Sequence, residues 1–263
     1  MLEKWFKAIY AFDYTPDKPA AYGFFHLIFT VVGFAVCIFL AIKLKKVKGK
    51  TADLILFGCG AFLLITEVYK QLFYYYCMDI NAVRYHWWIF PFQLCSIPMY
   101  LCLLLPFLKE GRFKRALYTF MATYNLLGGF MAFIEPSGII HNNWTLTLHA
   151  CVWHMLLNFI GFFIISKKLS GRTKKEFAHA IIVFAVLAVV AFIINLALRD
   201  VSDGSVNMFY VGPSNSPLAV FSTICEKFGW QLSTVLYLLS LTFGAFIFFL
   251  VPYLYDKKRG KKG

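Results

Sequence analysis

Seven apolar stretches, each close to the length of a membrane-crossing helix, divide the chain. They cover residues 23–42, 53–76, 90–108, 116–134, 145–166, 178–198 and 230–252. A helix needs roughly 20 apolar residues to cross a bilayer, and in lipid its backbone amides must be satisfied internally. Only 15% of the 263 residues are charged, against about 25% in soluble domains. The sequence therefore predicts an all-α polytopic membrane protein with seven transmembrane helices. It excludes a cytosolic globular enzyme, a disordered chain and a small secreted scaffold.

Positive charge is concentrated in alternate connections between these stretches. Nineteen of the 26 lysines and arginines follow the first, third, fifth and seventh stretches, in runs such as KLKKVKGK and KKRGKKG. The positive-inside rule then places the N-terminus outside and the C-terminus in the cytoplasm, and we expect the protein in a cell membrane. Membrane lipids are the expected partners. Nucleic acid is not expected, because the basic runs adjoin the spans and lack interleaved aromatic residues.

This pattern divides the chain into three parts. Residues 1–22 are predicted to form an extracytoplasmic amphipathic segment, residues 23–252 the seven-helix domain, and residues 253–263 a basic cytoplasmic tail. Apolar side chains recur at helical spacing in the first part, which is typical of a helix lying on a membrane surface. Residues 199–229 are too polar to span, and we expect an outer loop or re-entrant segment there.

The seven cysteines lack the spacing of a metal site, and no nucleotide-binding glycine motif is present. We therefore expect no metal and no cofactor. Four cysteines lie within spans and are expected to be small buried hydrophobes: Cys37, Cys59, Cys102 and Cys151. Cys77 and Cys225 fall on the predicted outer side, where an oxidising environment would allow a disulfide between them.

Polar side chains are concentrated in the predicted outer halves of the spans. Such groups are costly in lipid and usually face the interior of a bundle. Those in or near the outer halves are Glu67, Lys70, Gln93, Cys95, Ser96, His149, His154 and Asn195. The pattern predicts an outward-facing polar cavity that binds a phospholipid or another small molecule. The alternative interpretation is a set of structural hydrogen bonds between helices.

Spacing predicts how some of these groups are arranged. Glu67 and Lys70 are three residues apart, share a helix face and can pair. His154 and Asn158 are four residues apart and can hydrogen-bond along their helix, which leaves His149 as the freer histidine. Pro98 lacks a backbone N–H and loosens the preceding turn, so carbonyls of residues 93–95 are expected to need other partners.

Several stretches resemble a known family. They are FPFQLCSIPMYL (90–101), TLTLHACVWH (145–154), Glu67 and NMFYVGPSNSPL (207–218). Together they resemble the YwaF-like integral membrane proteins of bacteria, which are similar to the eukaryotic transmembrane protein 164 group. The resemblance covers residues 50–252 and implies a seven-helix membrane protein. From the eukaryotic branch it implies acyl transfer onto ether lysophospholipids by a cysteine and a histidine.

The resemblance also implies roles for particular residues. The histidine of that branch falls on His149, whereas the position of its cysteine is Phe92 here. Cys95 and Ser96 lie one turn deeper on the same stripe as candidate nucleophiles, with Gln93 as an oxyanion donor. Glu67 would orient His149 or balance Lys70. The candidate substrate-binding residues are Lys70, His154, Asn195 and Asn207.

Three functions remain open at this level. The first is a lipid acyltransferase or acyl hydrolase that uses Cys95 or Ser96 with His149. The second is a transporter or binding protein that takes a lipid or small molecule through the same cavity. The third is a sensor or accessory subunit whose long outer segment binds a partner.

Overall fold

The computed structural model describes residues 1–78 and 83–260, and these residues form an all-α protein without a named β-strand. The α-helices are α1 (Leu2–Asp13), α2 (Phe24–Leu44), α3 (Gly49–Cys77), α4 (Ile97–Leu104), α5 (Arg112–Phe120), α6 (Leu126–Ile134), α7 (Trp144–Ser166), α8 (Lys174–Ala197), α9 (Ala219–Phe228) and α10 (Trp230–Gly260). A π-helical turn over Met121–Asn125 joins α5 to α6. The predicted tail 253–263 is helical up to Gly260, and residues 261–263 lie outside the described part.

Six helices are long and apolar enough to cross a membrane: Phe24–Leu44, Gly49–Cys77, Arg112–Ile134, Trp144–Ser166, Lys174–Ala197 and Trp230–Lys258. The predicted span 90–108 instead contains a shorter apolar helix, Leu94–Phe107, in which 3-10 turns flank α4. Pro91, Pro98 and Pro106 lie in this stretch, and proline withholds the N–H on which a regular α-helix depends. The seven-span count and the orientation of the termini therefore stay predictions.

Helix α7 lies at the centre of the bundle and packs against α2, α3 and α6. Two glycines bring backbones together there. A Cβ on Gly129 would lie 3.1 Å from the His154 carbonyl oxygen, and one on Gly161 would lie 2.8 Å from Leu126 Cβ. Small residues at such crossings allow close van der Waals packing, which is a main source of helix association in lipid.

One of the predicted topology-setting cations is buried. Lys114 is 2% exposed, and its Nζ lies 2.6 Å from Asp53 Oδ2 and 2.7 Å from Glu110 Oε1. The Tyr118 hydroxyl donates to the other oxygen of Asp53. This network joins α3 to α5 because a buried ammonium ion needs charged partners.

The predicted N-terminal amphipathic segment contains α1, which packs one face on α3. Phe6 is buried and stacks on Tyr76 with ring centroids 5.8 Å apart, while Trp5 and Phe12 are exposed. The helix ends at Asp13, whose carboxylate accepts from Asn143 Nδ2 at 2.7 Å and from the Thr145 amide at 2.9 Å. A residue of α1 thereby caps the start of α7.

The proposed pairing of Cys77 with Cys225 is wrong in this structure. All seven cysteines are free thiols. Cys77 is buried in the cluster between α1 and α3, whereas Cys225 lies on α9. The sequence analysis assigned both residues to the same side of the membrane, and this could not show that they lie on separate elements.

Replacing Asp13 tests the docking of α1. Asp13→Ala leaves the buried Asn143 amide and the Thr145 N–H without an acceptor, and we expect a loss of about 1–3 kcal/mol in the free energy of unfolding. The measurement is chemical unfolding in detergent, followed by Trp fluorescence. Asp17→Ala is the control because Asp17 is exposed. Equal stability of the two variants would contradict the capping role.

Candidate functional site

The loosened turn before Pro98 takes its hydrogen bonds from two other helical segments. Asn125 Nδ2 donates to the Leu94 carbonyl at 2.7 Å, and Trp153 Nε1 donates to the Cys95 carbonyl at 3.1 Å. Leu94 is four residues before Pro98, so its carbonyl lacks the donor of a regular α-helix. The Ile97 amide donates to it in a 3-10 bond, and Asn125 adds a second donor. The prediction that carbonyls of this turn need other partners is confirmed. The turn is thereby fixed against the π-helical turn and α7.

Trp153 connects the Cys95 segment to a charged and aromatic cluster. Its ring centroid lies 5.5 Å from that of His149, and Lys70 Nζ lies 5.9 Å from the ring. Cys95 is partly exposed, whereas Ser96 is 3% exposed. Of the two candidate nucleophiles, Cys95 is therefore the more exposed residue.

His149 has a ring nitrogen that the protein leaves unused. Its Nε2 is buried and has no hydrogen-bond partner among the described residues. The ring lies beside Tyr69, with centroids 6.3 Å apart, and the Tyr69 hydroxyl donates to Thr145, which in turn donates to Asp13. An imidazole nitrogen without a donor or acceptor can take up a proton from a bound molecule.

Glu67 and Lys70 pair as their spacing predicted. Glu67 Oε2 lies 2.9 Å from Lys70 Nζ, and Oε1 accepts from Gln71 Nε2 at 2.6 Å. Gln71 also donates to the Ile89 carbonyl at 2.8 Å. These contacts favour a role for Glu67 in balancing Lys70 over one in orienting His149.

Gln93 and Asn195 hold the segment that follows α8. Gln93 Nε2 donates to the Asn207 carbonyl at 3.0 Å, and Gln93 Oε1 accepts from the Phe209 amide at 2.9 Å. Asn195 Nδ2 donates to the Met208 and Val211 carbonyls at 3.0 and 2.8 Å, and its Oδ1 accepts from the Met208 amide at 2.6 Å. This part of the polar pattern fits the alternative interpretation, structural hydrogen bonds.

The segment of residues 207–211, which Gln93 and Asn195 hold, has an unusual backbone. Phe209 and Tyr210 both have φ near 53°, a region that costs non-glycine residues free energy and persists only where the surroundings enforce it. Phe209 is buried and stacks on Phe92, with ring centroids 5.9 Å apart. Phe92, where the resemblance implies a cysteine, is therefore a packing residue here.

Two further candidate binding residues bond locally. His154 Nδ1 lies 2.8 Å from the Ala150 carbonyl, which can only accept, so this nitrogen carries the proton. Asn158 donates to the His154 backbone carbonyl at 2.9 Å, not to the imidazole as the spacing suggested. Asn207 Nδ2 donates to the Asn215 carbonyl at 3.2 Å, outside the His149 cluster.

The cationic-loop end and the His149 end of the bundle differ in their cavities and in their loop residues. Two cavities lined by described residues lie at the end with the cationic loops, and His149 lines neither of them. At the His149 end, burial and the nearby Lys18 ammonium lower the pKa of His141, so this histidine is neutral at pH 7. The polar groups at the His149 end thus form two sets: a compact cluster around His149, and the Gln93 and Asn195 bonds that hold residues 207–211.

Sequence reasoning missed four residues that organise this site: Asp13, Tyr69, Asn125 and Trp153. Pro98 signalled that carbonyls would need donors, but it could not identify them. Asn125 and Trp153 come from distant segments, so only tertiary packing identifies these donors. An Asn within an apolar span was the one sequence signal available for Asn125.

Two matched asparagine variants test the support of the turn. Asn125→Ala removes the side-chain bond to the Leu94 carbonyl, which keeps only the Ile97 amide as donor, and we expect a loss of about 1 kcal/mol together with faster thiol modification of Cys95. Asn158→Ala is the control, since Asn158 is equally buried but its acceptor, the His154 carbonyl, lies inside a continuous helix. Unfolding in detergent and the rate of maleimide labelling measure both effects. Indistinguishable variants would contradict the supporting role.

Comparison with known proteins supports part of the resemblance. The TMEM164 family model matches residues 21–255. No match is found among curated proteins or solved structures. The match covers most of the chain, including the His149 cluster and the segment 207–211 held by Gln93 and Asn195. The YwaF-like assignment stays a prediction. The chain belongs to the TMEM164 family.

Proposed function

We propose that the cluster around Cys95 and His149 carries out acyl transfer or acyl hydrolysis on a membrane lipid. The observation that carries this proposal is the unused, buried His149 Nε2, one helical turn from the tryptophan that binds the Cys95 backbone. A base needs a free nitrogen, and a nucleophile needs a fixed position. Both are supplied by the same short stretch of α7.

In the proposed reaction, His149 Nε2 takes the thiol proton while Cys95 Sγ attacks the carbonyl carbon of an ester. The C–O bond breaks, and the departing lysolipid oxygen receives the proton from His149. The resulting Cys95 thioester is then opened by the hydroxyl of an acceptor lipid or by water, and His149 again moves the proton. Each step conserves charge and needs no cofactor.

The surrounding groups receive supporting roles in this proposal. Lys70, partly exposed beside Trp153, would contact the lipid headgroup while Glu67 balances its charge. Gln93 has one amide hydrogen left after its bond to the Asn207 carbonyl, and that hydrogen would face the oxyanion. Asn195 and Asn207 would position the segment of residues 207–211, and His154 would support α7. Ser96 is the alternative nucleophile.

The proposal includes a membrane arrangement. We infer seven crossings, with the short helix Leu94–Phe107 counted as one, and an outer N-terminus in a bacterial inner or plasma membrane. The alternating cationic loops support this orientation. A transporter or binding protein for a lipid or small molecule is the second candidate, because the Glu67–Lys70 pair lies inside a span, where ionisable residues often mark transport paths.

Labelling of the thiol tests the enzyme proposal. We expect a thioester-forming acyl probe to label Cys95 in the wild type, and His149→Gln to lower the labelling rate about 100-fold or more, a general-base effect. Cys95→Ala should abolish the label. Cys59→Ala is the matched control, because Cys59 is also partly exposed within a span.

Two results would contradict this assignment. Labelling that persists in Cys95→Ala and is lost in Ser96→Ala would transfer the nucleophile to the serine. If no probe labels a folded wild-type protein while lipid crosses vesicles unchanged, the transport candidate replaces the enzyme. Circular dichroism of each variant establishes that it is folded.

A further inference from the structure

A cavity of about 440 Å³ opens at the end of the molecule opposite His149. It lies between the start of α5 and the start of α8, and its lining includes the cations Arg112, Arg115 and Lys175 together with His179. Its volume is within the range of about 300–1,000 Å³ typical of small-ligand pockets. It is separate from the proposed acyl site.

The charge in this cavity is unbalanced. Glu176 is its single carboxylate, and Arg115 Nη1 lies 3.0 Å from Oε1 of that residue. The other Glu176 oxygen accepts from the Arg172 amide at 2.7 Å and from Thr173 in a capping box. Arg112, Lys175 and His179 make no ion pair within the described ranges 1–78 and 83–260. A net positive concave surface favours an anionic ligand.

The backbone adds to this preference. Helix α5 begins after Gly111, which provides no side-chain cap, so the amides of its first turn point out without a side-chain acceptor. These amides lie beside Arg112 at the positive end of the helix dipole. Phosphate oxygens suit such a combination of amides and guanidinium.

The surface of α8 distinguishes between two sources of a phosphate group, a phospholipid and free phosphate. Lys175 and His179 are followed at helical spacing by Ile182 and Val186, which are 59% and 57% exposed. Cationic and apolar groups thus form one continuous stripe along a helix that is apolar enough to span. A free phosphate would contact only the cationic part of this stripe, whereas a phospholipid would contact both the cationic part and the apolar part.

We propose that this cavity binds the phosphate headgroup of an anionic phospholipid, with its acyl chain along the Ile182–Val186 stripe. A lipid is favoured over free phosphate as the ligand because the cations and the apolar surface are continuous on α8. It is independent of the acyl chemistry at the other end, and either proposal can fail without the other.

Lipid binding by purified protein in neutral detergent tests the proposal. Native mass spectrometry would compare phosphatidylglycerol, phosphatidylcholine and inorganic phosphate. We expect preferential binding of phosphatidylglycerol, and roughly 30-fold weaker binding by Arg112→Gln/Lys175→Gln, since each cation near a headgroup contributes enough for about a fivefold change. Lys46→Gln/Lys48→Gln is the control, because it removes the same charge from exposed residues of another cationic loop.

Three outcomes would overturn the proposal. They are equal loss in both double variants, equal binding of phosphatidylcholine, and binding of inorganic phosphate as tight as that of the lipid. The last would leave an anion site without a lipid. If the double variant does not fold, the single variants Arg112→Gln and Lys175→Gln serve instead, with about fivefold weaker binding expected of each.

Discussion

The missing N–H of Pro98 is the constraint on which the proposed site depends. It leaves the turn before α4 without a regular helical ladder, and buried carbonyls in lipid must find donors. The Ile97 amide and Asn125 bond the Leu94 carbonyl, and Trp153 bonds the Cys95 carbonyl. The two side-chain bonds fix Cys95 against the π-helical turn and α7, so this partly exposed residue has a rigid support. A regular span over residues 90–108 would have needed neither donor.

The polar residues at the His149 end divide into two groups with different roles. Gln93 and Asn195 use most of their hydrogen-bonding capacity on the backbone of residues 207–211, and they hold Phe209 and Tyr210 in a conformation that costs free energy. Glu67 and Lys70 neutralise each other. His149 Nε2 has no hydrogen-bond partner in the described part of the chain, as is also true of both His26 nitrogens, but His149 lies beside Trp153, which bonds the Cys95 carbonyl. An unused buried nitrogen between organised neighbours is the feature that favours chemistry over simple helix association.

Length and hydropathy were enough to predict the all-α class, and six of the seven predicted spans correspond to helices of membrane-crossing length in the described residues, because those properties are local. The shortened helix Leu94–Phe107 was harder, since its prolines change helix geometry without lowering hydropathy. The Glu67–Lys70 pair and the need for donors near Pro98 also followed from spacing. The identity of the donors, the Asp13 cap and the burial of Cys77 did not, because each joins segments far apart in sequence.

Comparative lipidomics tests the central claim, that Cys95 and His149 act together on a lipid ester. The host membrane would contain wild-type protein, Cys95→Ala, His149→Ala, Cys59→Ala or an empty vector, at matched protein levels. The account predicts that one phospholipid or lysophospholipid class shifts with the wild type and with Cys59→Ala, and reverts with the other two variants. Identical lipid profiles in all samples, with folded and abundant protein, would contradict it.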